Sequence, residues 1–113
     1  MKNLKALNIY EKYHFFKTHI GMFIPYPTYN EVVALLEGMD FASNNKLLKG
    51  FNEWVNQKFN IKTAFAWSAL IKYIYTDEIN TVYKLDVQVI NKEDTDISFL
   101  FNLIDEFLEE RDF

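Results

Sequence analysis

The stretch from Leu47 to Tyr75 concentrates the apolar residues of this chain and carries both of its tryptophans, Trp54 and Trp67. Its apolar residues recur at three- and four-residue spacings, which predicts two amphipathic helices, Lys46–Phe59 and Ala64–Tyr75. Each tryptophan side chain buries roughly 150–250 Å² when it enters a core. We therefore expect Trp54 and Trp67 to be buried on neighbouring helices of a small helical domain.

The length and composition favour one globular domain. The chain has 113 residues, of which 50% are apolar, with 11 Phe and 7 Tyr. We expect a single mainly α domain over residues 1–113, a bundle of about four to five helices. No cysteine is present, which excludes disulfides and thiol chemistry and fits a reducing cytoplasm. No apolar run reaches the ~18 residues that cross a membrane, and no signal peptide is recognised, so a cytoplasmic protein without a membrane partner is expected.

Three further helices are predicted, two before this pair and one after it. The first runs over Asn3–Thr18 on the spacing of its apolar residues. The second starts at a capping box, in which Thr28 accepts from the N–H of Glu31 and Glu31 reaches back, and it continues to Phe41. The last covers Ile97–Glu110 and follows three residues, Asp-Thr-Asp, that offer N-caps.

The sequence leaves two alternatives open after the second tryptophan helix. Thr63 is its expected N-cap, and the Thr-Asp-Glu sequence at 76–78 is interpreted as its stop. The run Val82–Val89 then alternates apolar and polar side chains, which favours a strand. No segment is a convincing partner for it apart from Met22–Ile24. The alternative is a helix that holds Ile79, Val82, Tyr83 and Ile90.

Two glycines, Gly38 and Gly50, fall inside predicted helices. Glycine in a helix interior costs about 1 kcal/mol relative to alanine. Because neither residue carries a Cβ atom, we expect both to lie where their two helices touch closely.

No arrangement of residues predicts catalysis, a cofactor or a metal. His14 and His19 would point about 140° apart on a helix, which is unsuitable for holding one metal ion. Glu37 and Asp40, with Glu53, are a candidate paired-carboxylate group. Such acids are more often solvated or capping, and Asp40 is placed to bond to the start of the following helix. We expect a protein that is not an enzyme and has no small-molecule substrate.

The charge is unevenly distributed along the chain. Residues 93–113 carry eight acids against Arg111 alone, a local balance of −7, whereas the remaining 92 residues carry 11 lysines and 8 acids. A nucleic-acid-binding domain is expected to show a basic stripe, so no nucleic-acid partner is predicted. Acids in the last turn of a helix oppose the helix dipole. The protein therefore either uses this charge or carries a solvated acidic tail.

Several short motifs together resemble a known family. They are Thr28–Tyr29, Gly38–Ala42, Leu47–Trp54, Trp67–Ile71 and Leu100–Leu108. In these motifs the chain is similar to the immunity proteins of contact-dependent growth inhibition and related polymorphic toxin systems in bacteria. The resemblance implies a non-enzymatic inhibitor that binds the C-terminal domain of one cognate toxin, such as a nuclease, and protects the producing cell.

The matching motif residues look structural, so the resemblance supplies no binding site. Many toxin domains of these systems are cationic nucleases, for which an acidic surface is complementary. The predicted toxin-binding face is therefore the acidic side of the last helix, with Asp105, Glu106, Glu109, Glu110 and Asp112. Glu37, Asp40 and Glu53 form a secondary candidate face. The alternative function is a cytoplasmic adaptor or regulator that binds a host protein through the apolar rim of the last helix.

Overall fold

In the computed structural model, which describes residues 8–84 and 95–112, all regular secondary structure is α-helical, which confirms the predicted mainly α fold class. The chain divides into two compact units, Met1–Lys49 and Gly50–Phe113, and each is described by itself. The prediction of one domain over residues 1–113 stays a prediction. The helices are α1 (Ile9–Thr18), α2 (Ile20–Phe23), α3 (Tyr29–Ala42), α4 (Phe51–Lys58), α5 (Trp67–Lys84) and α6 (Asp96–Asp112).

Helix α1 begins at Ile9 and not at the predicted Asn3; residues 3–7 of that prediction lie outside the described residues. The backbone of Asn8 is extended, and its side chain accepts from the Glu11 N–H at 2.9 Å. The Glu11 carboxylate accepts in turn from the Asn8 N–H at 3.4 Å. This reciprocal capping box sets the start of α1.

The connector between α1 and α3 contains one helical turn, α2, where the sequence suggested a strand. Met22 and Phe23 are therefore helical, Ile24 is the extended residue that follows the turn, and the predicted strand at Met22–Ile24 is wrong. Ile24 is buried, whereas Met22 is 72% exposed. The proposed partner, Leu85–Val89, lies outside the described residues.

Helix α3 starts where the sequence predicts. The Thr28 hydroxyl accepts from the Glu31 N–H at 3.3 Å and donates to the Glu31 carboxylate at 2.8 Å. The apolar side of α3 packs against α1. The buried residues of these two helices are Tyr13, Phe16, Tyr29, Val32, Val33 and Leu36.

The first tryptophan helix is shorter than predicted, because it begins at Phe51 and not at Lys46. Residues 43–50 form successive turns, although Leu47 and Leu48 within them are buried. Gly50 has a φ of +88°, a left-handed conformation that interrupts the helical pattern directly before α4.

The prediction that Gly38 and Gly50 lie at a close helix–helix contact is wrong. A Cβ atom at Gly38 would meet nothing within 4 Å, and the residue is exposed. Gly50 lies outside the helix, and a Cβ atom there would be 3.9 Å from the Phe107 ring, an ordinary contact distance. Gly50 is required by its backbone conformation and not by close packing.

Helix α5 begins later and ends later than predicted. Thr63 is not its N-cap, since its hydroxyl accepts from the Phe65 N–H at 2.9 Å and the helix begins at Trp67. Residues 76–78 do not stop the helix: the Thr76 hydroxyl donates to the Lys72 carbonyl one turn back, at 2.9 Å, and the helix continues to Lys84. The first three residues of the predicted strand are therefore helical.

In the second unit, α4, α5 and α6 pack against one another. The Phe51 ring lies 5.3 Å from that of Trp67 and 5.1 Å from that of Phe107. Trp67 is buried, with 9% exposed, as predicted. Trp54 is only half-buried, so the prediction that both tryptophans are buried is wrong for Trp54.

Candidate functional site

Helix α6 carries the predicted toxin-binding face, and its start is held by a side-chain cap. The Thr95 hydroxyl accepts from the Ser98 N–H at 3.1 Å. The apolar residues of α6 then recur at helical spacing, which places them on one side of the helix. That side is buried, and it consists of Leu100, Phe101, Leu103, Ile104 and Phe107.

Two polar pairs join α6 to α4. The indole N–H of Trp54 donates to the Glu110 carboxylate. Lys58 pairs with Glu106, with 2.6 Å between Nζ and Oε1. Trp54 precedes Lys58 in α4, whereas its partner Glu110 follows Glu106 in α6. The two helices therefore run antiparallel.

The Glu106 and Glu110 carboxylates are therefore not free surface charges. The side chains of Lys58 and Glu106 are 33% and 43% exposed, so water screens their ion pair and it contributes at most about 1 kcal/mol. The Lys58 Nζ also lies 5.4 Å from the centre of the Trp54 ring. Trp54 therefore contacts Glu110 and Lys58, and Lys58 in turn contacts Glu106.

The other predicted acids take no part in these two pairs. Asp105 is half-buried and has an interaction partner, whereas Glu109 is exposed. Asp112 is the last residue of α6, and its side chain lies outside the described residues. Glu109 is thus exposed and takes no part in the two pairs to α4.

Arg111 places a cation near the end of the acidic side of α6. The Arg111 guanidinium lies 4.9 Å from the centre of the Phe107 ring, and both side chains line a shallow depression of about 380 Å³. Glu110 and Glu53 line the same depression. Glu53, which the sequence analysis grouped with Glu37 and Asp40, therefore lies beside the C-terminal end of α6. We call the surface formed by Glu53, Trp54, Lys58, Glu106, Glu109, Glu110 and Arg111 the α4–α6 edge.

The other members of the secondary candidate face lie on α3. Asp40 is partly buried, and its carboxylate accepts from the Leu48 N–H at 2.7 Å. This bond agrees with the expectation that Asp40 bonds to the chain leading into the next helix. Glu37 is exposed. Asp40 therefore stabilises a turn, and Glu37 is the member of this pair that is open to solvent.

Sequence reasoning missed Trp54 and Lys58 as parts of the site. The apolar spacing predicts that Trp54 lies wholly in the core, and it gives no prediction for Lys58. The signal was present as two four-residue spacings, Trp54 to Lys58 and Glu106 to Glu110, since residues at this spacing share one side of a helix.

Within residues 8–84 and 95–112, no three His, Asp or Glu side chains converge in a way that would hold a metal ion. None of the helices in that part of the chain combines the length and the apolar character needed to cross a bilayer. Comparisons of the chain with protein-family models, with curated proteins and with solved structures found no match. The resemblance to immunity proteins accordingly stays a prediction.

Proposed function

We propose that the protein is a cytoplasmic immunity protein that binds and neutralises the C-terminal domain of a cognate bacterial toxin without catalysing a reaction. The observation that carries this proposal is the α4–α6 edge. There, acids of α6 project from a helix whose opposite side is buried in the second unit.

Preorganisation is the physical advantage of this arrangement. Association costs conformational freedom wherever side chains must be ordered in the interface. Trp54 and Lys58 already restrain Glu110 and Glu106, so less ordering remains for these two carboxylates. An acidic surface also accelerates the approach of a cationic partner such as a nuclease domain.

The adaptor function is the second candidate, and it would use the apolar rim of α6. Most of that rim is buried in the second unit, since Leu100, Ile104 and Phe107 are each at most 3% exposed. Ile97 and Leu108 are only half-buried, and they are the apolar surface that an adaptor would have available. No further feature of α6 favours this candidate.

The test is a measurement of binding between the protein and the toxin domain encoded by the gene immediately upstream. The variant Glu109→Lys reverses an exposed charge without breaking the pairs to α4. We expect its on-rate to fall several-fold at low salt and by much less at high salt, where the Debye length shortens to about 3 Å at 1 M. Asp77→Lys, an exposed acid of α5, is the charge-matched control.

Glu37→Lys tests the secondary candidate face in the same assay. If Glu109→Lys remains folded and keeps both its on-rate and its protection of cells, the α4–α6 edge is not the binding surface. A selective effect of Glu37→Lys would then move the interface to α3. If the parent protein neither binds the upstream product nor protects cells from it, the immunity function is wrong.

A further inference from the structure

The first unit contains an apolar groove between its helices. Phe15 and Phe16 from α1, Phe23 from α2, and Leu35 and Met39 from α3 line a space of about 260 Å³. The Phe23 ring packs edge-on against both Phe16, at 5.4 Å, and Phe15, at 6.2 Å. These contacts form a wall of three aromatic rings, and Phe23 nevertheless remains 48% exposed.

One end of this groove continues into a polar depression. Lys12 and Met39 line both spaces, so they mark the boundary between them. The depression is also lined by Asn8, Ser43, Asn44 and Lys46. The charged residues among the described lining of the two spaces are Lys12 and Lys46, and no carboxylate is among them. Glu11, next to Lys12 in the sequence, is held in the capping box at Asn8.

An apolar groove that ends at a lysine is complementary to an apolar chain that ends in an anion. The apolar part would displace water from the aromatic wall. The anionic end would meet the Lys12 ammonium and the polar groups beyond it. A space of about 260 Å³ lies near the lower end of the roughly 300–1,000 Å³ that small-molecule sites enclose, which favours a small ligand.

We propose that this groove binds an amphiphilic carboxylate, a fatty acid of medium chain length, with the chain along Phe15, Phe23 and Leu35 and the carboxylate at Lys12. The proposed role is binding without chemical conversion. Apolar contact and one cation are sufficient for binding. The proposal is independent of the immunity function, since every residue in it belongs to the first unit and none to the α4–α6 edge.

Titration of the whole protein with sodium octanoate tests the proposal, with backbone amide NMR shifts as the readout. Octan-1-ol and octyltrimethylammonium serve as neutral and cationic comparisons. We expect saturable shifts in α1–α3 with octanoate, weaker binding of the alcohol, and the weakest binding of the cation.

Variants at the two ends of the groove locate the ligand. Lys12→Gln should weaken octanoate binding roughly threefold and leave the alcohol unaffected, because an exposed ion pair contributes modestly. Phe23→Ser should weaken both by about fivefold through lost apolar contact. Met22→Ser and Lys62→Gln are matched controls: both residues are exposed, and neither lines the groove.

Three results would overturn the proposal. The first is the absence of saturable octanoate binding to the folded protein. The second is equal binding of all three head groups, which would leave Lys12 without a role. The third is octanoate binding that neither Lys12→Gln nor Phe23→Ser weakens, which would place the ligand elsewhere.

Discussion

The indole N–H of Trp54 on α4 donates to the carboxylate of Glu110 on α6, and 56 positions of sequence separate the two residues. The bond orients the indole ring at the surface, where Phe107 packs against it with 5.7 Å between ring centres. Trp54 thus belongs both to the apolar packing of the second unit and to the acidic edge of α6. A change at Glu110 should therefore affect stability as well as surface charge, and a change at Trp54 should release the Glu110 carboxylate.

The Trp54–Glu110 bond is measurable by a double-mutant cycle with Trp54→Phe and Glu110→Ala. We expect a coupling free energy of about 0.5–1.5 kcal/mol from urea unfolding, since this is the usual net contribution of a hydrogen bond. Glu109→Ala, an exposed neighbour on the same helix, should change the free energy of unfolding by less than about 0.5 kcal/mol. A coupling indistinguishable from zero would show that the bond does not contribute in solution.

The two tryptophans should differ in their contribution to stability. Trp67→Ala removes a buried ring and leaves a cavity, so we expect a loss of ~3–5 kcal/mol in the free energy of unfolding. Trp54→Ala removes a half-buried ring and should cost only about 1–2 kcal/mol. Chemical denaturation of both variants checks this order, and equal losses would contradict the burial of the two side chains.

Alanine should have opposite effects at two of the glycines. Gly38→Ala should stabilise the protein by about 0.5–1 kcal/mol, because it improves helix propensity in α3 and a new Cβ atom meets nothing within 4 Å. Gly50→Ala should destabilise it by about 1–2 kcal/mol, since φ is +88° there. Thermal melts of the two variants are the measurement. A lower melting temperature for Gly38→Ala would support the close helix–helix contact that the sequence predicts at this residue.

Asp40 should be important for the turn that follows α3. Removing its carboxylate with Asp40→Ala leaves the part-buried Leu48 N–H without its 2.7 Å acceptor, and we expect a cost of about 1–3 kcal/mol. Glu37→Ala, an exposed acid of the same helix, is the control and should change stability by less than about 0.5 kcal/mol. Amide hydrogen exchange at Leu48 should accelerate in the Asp40 variant alone. Unchanged protection there would contradict the role of this bond.

The helices themselves were largely predictable, because apolar periodicity and capping residues are local signals. Thr28 and Thr95 lie at the predicted starts of α3 and α6. The Asn8–Glu11 box was missed because it lies inside a run that already has helical periodicity. Gly50 was misjudged for a different reason: a periodic pattern reports which side a residue faces, but it does not report the sign of φ.

The candidate site was predictable only in part. Counting charges along the chain identifies the acids of α6 without any structural information. The engagement of Glu106 by Lys58 and of Glu110 by Trp54 depends on the antiparallel packing of α4 and α6, which no local pattern encodes. For the same reason, Glu53 was grouped with the acids of α3.

The left-handed asparagines in the turns have a consequence for how this sequence can vary. Asn44, Asn45 and Asn60 have φ values of 58°, 63° and 53°. Asparagine, aspartate and glycine tolerate this conformation, whereas β-branched residues rarely adopt it. In an alignment of related chains, these three positions should therefore exchange among those residue types and exclude valine, isoleucine and threonine, because the backbone conformation alone requires it.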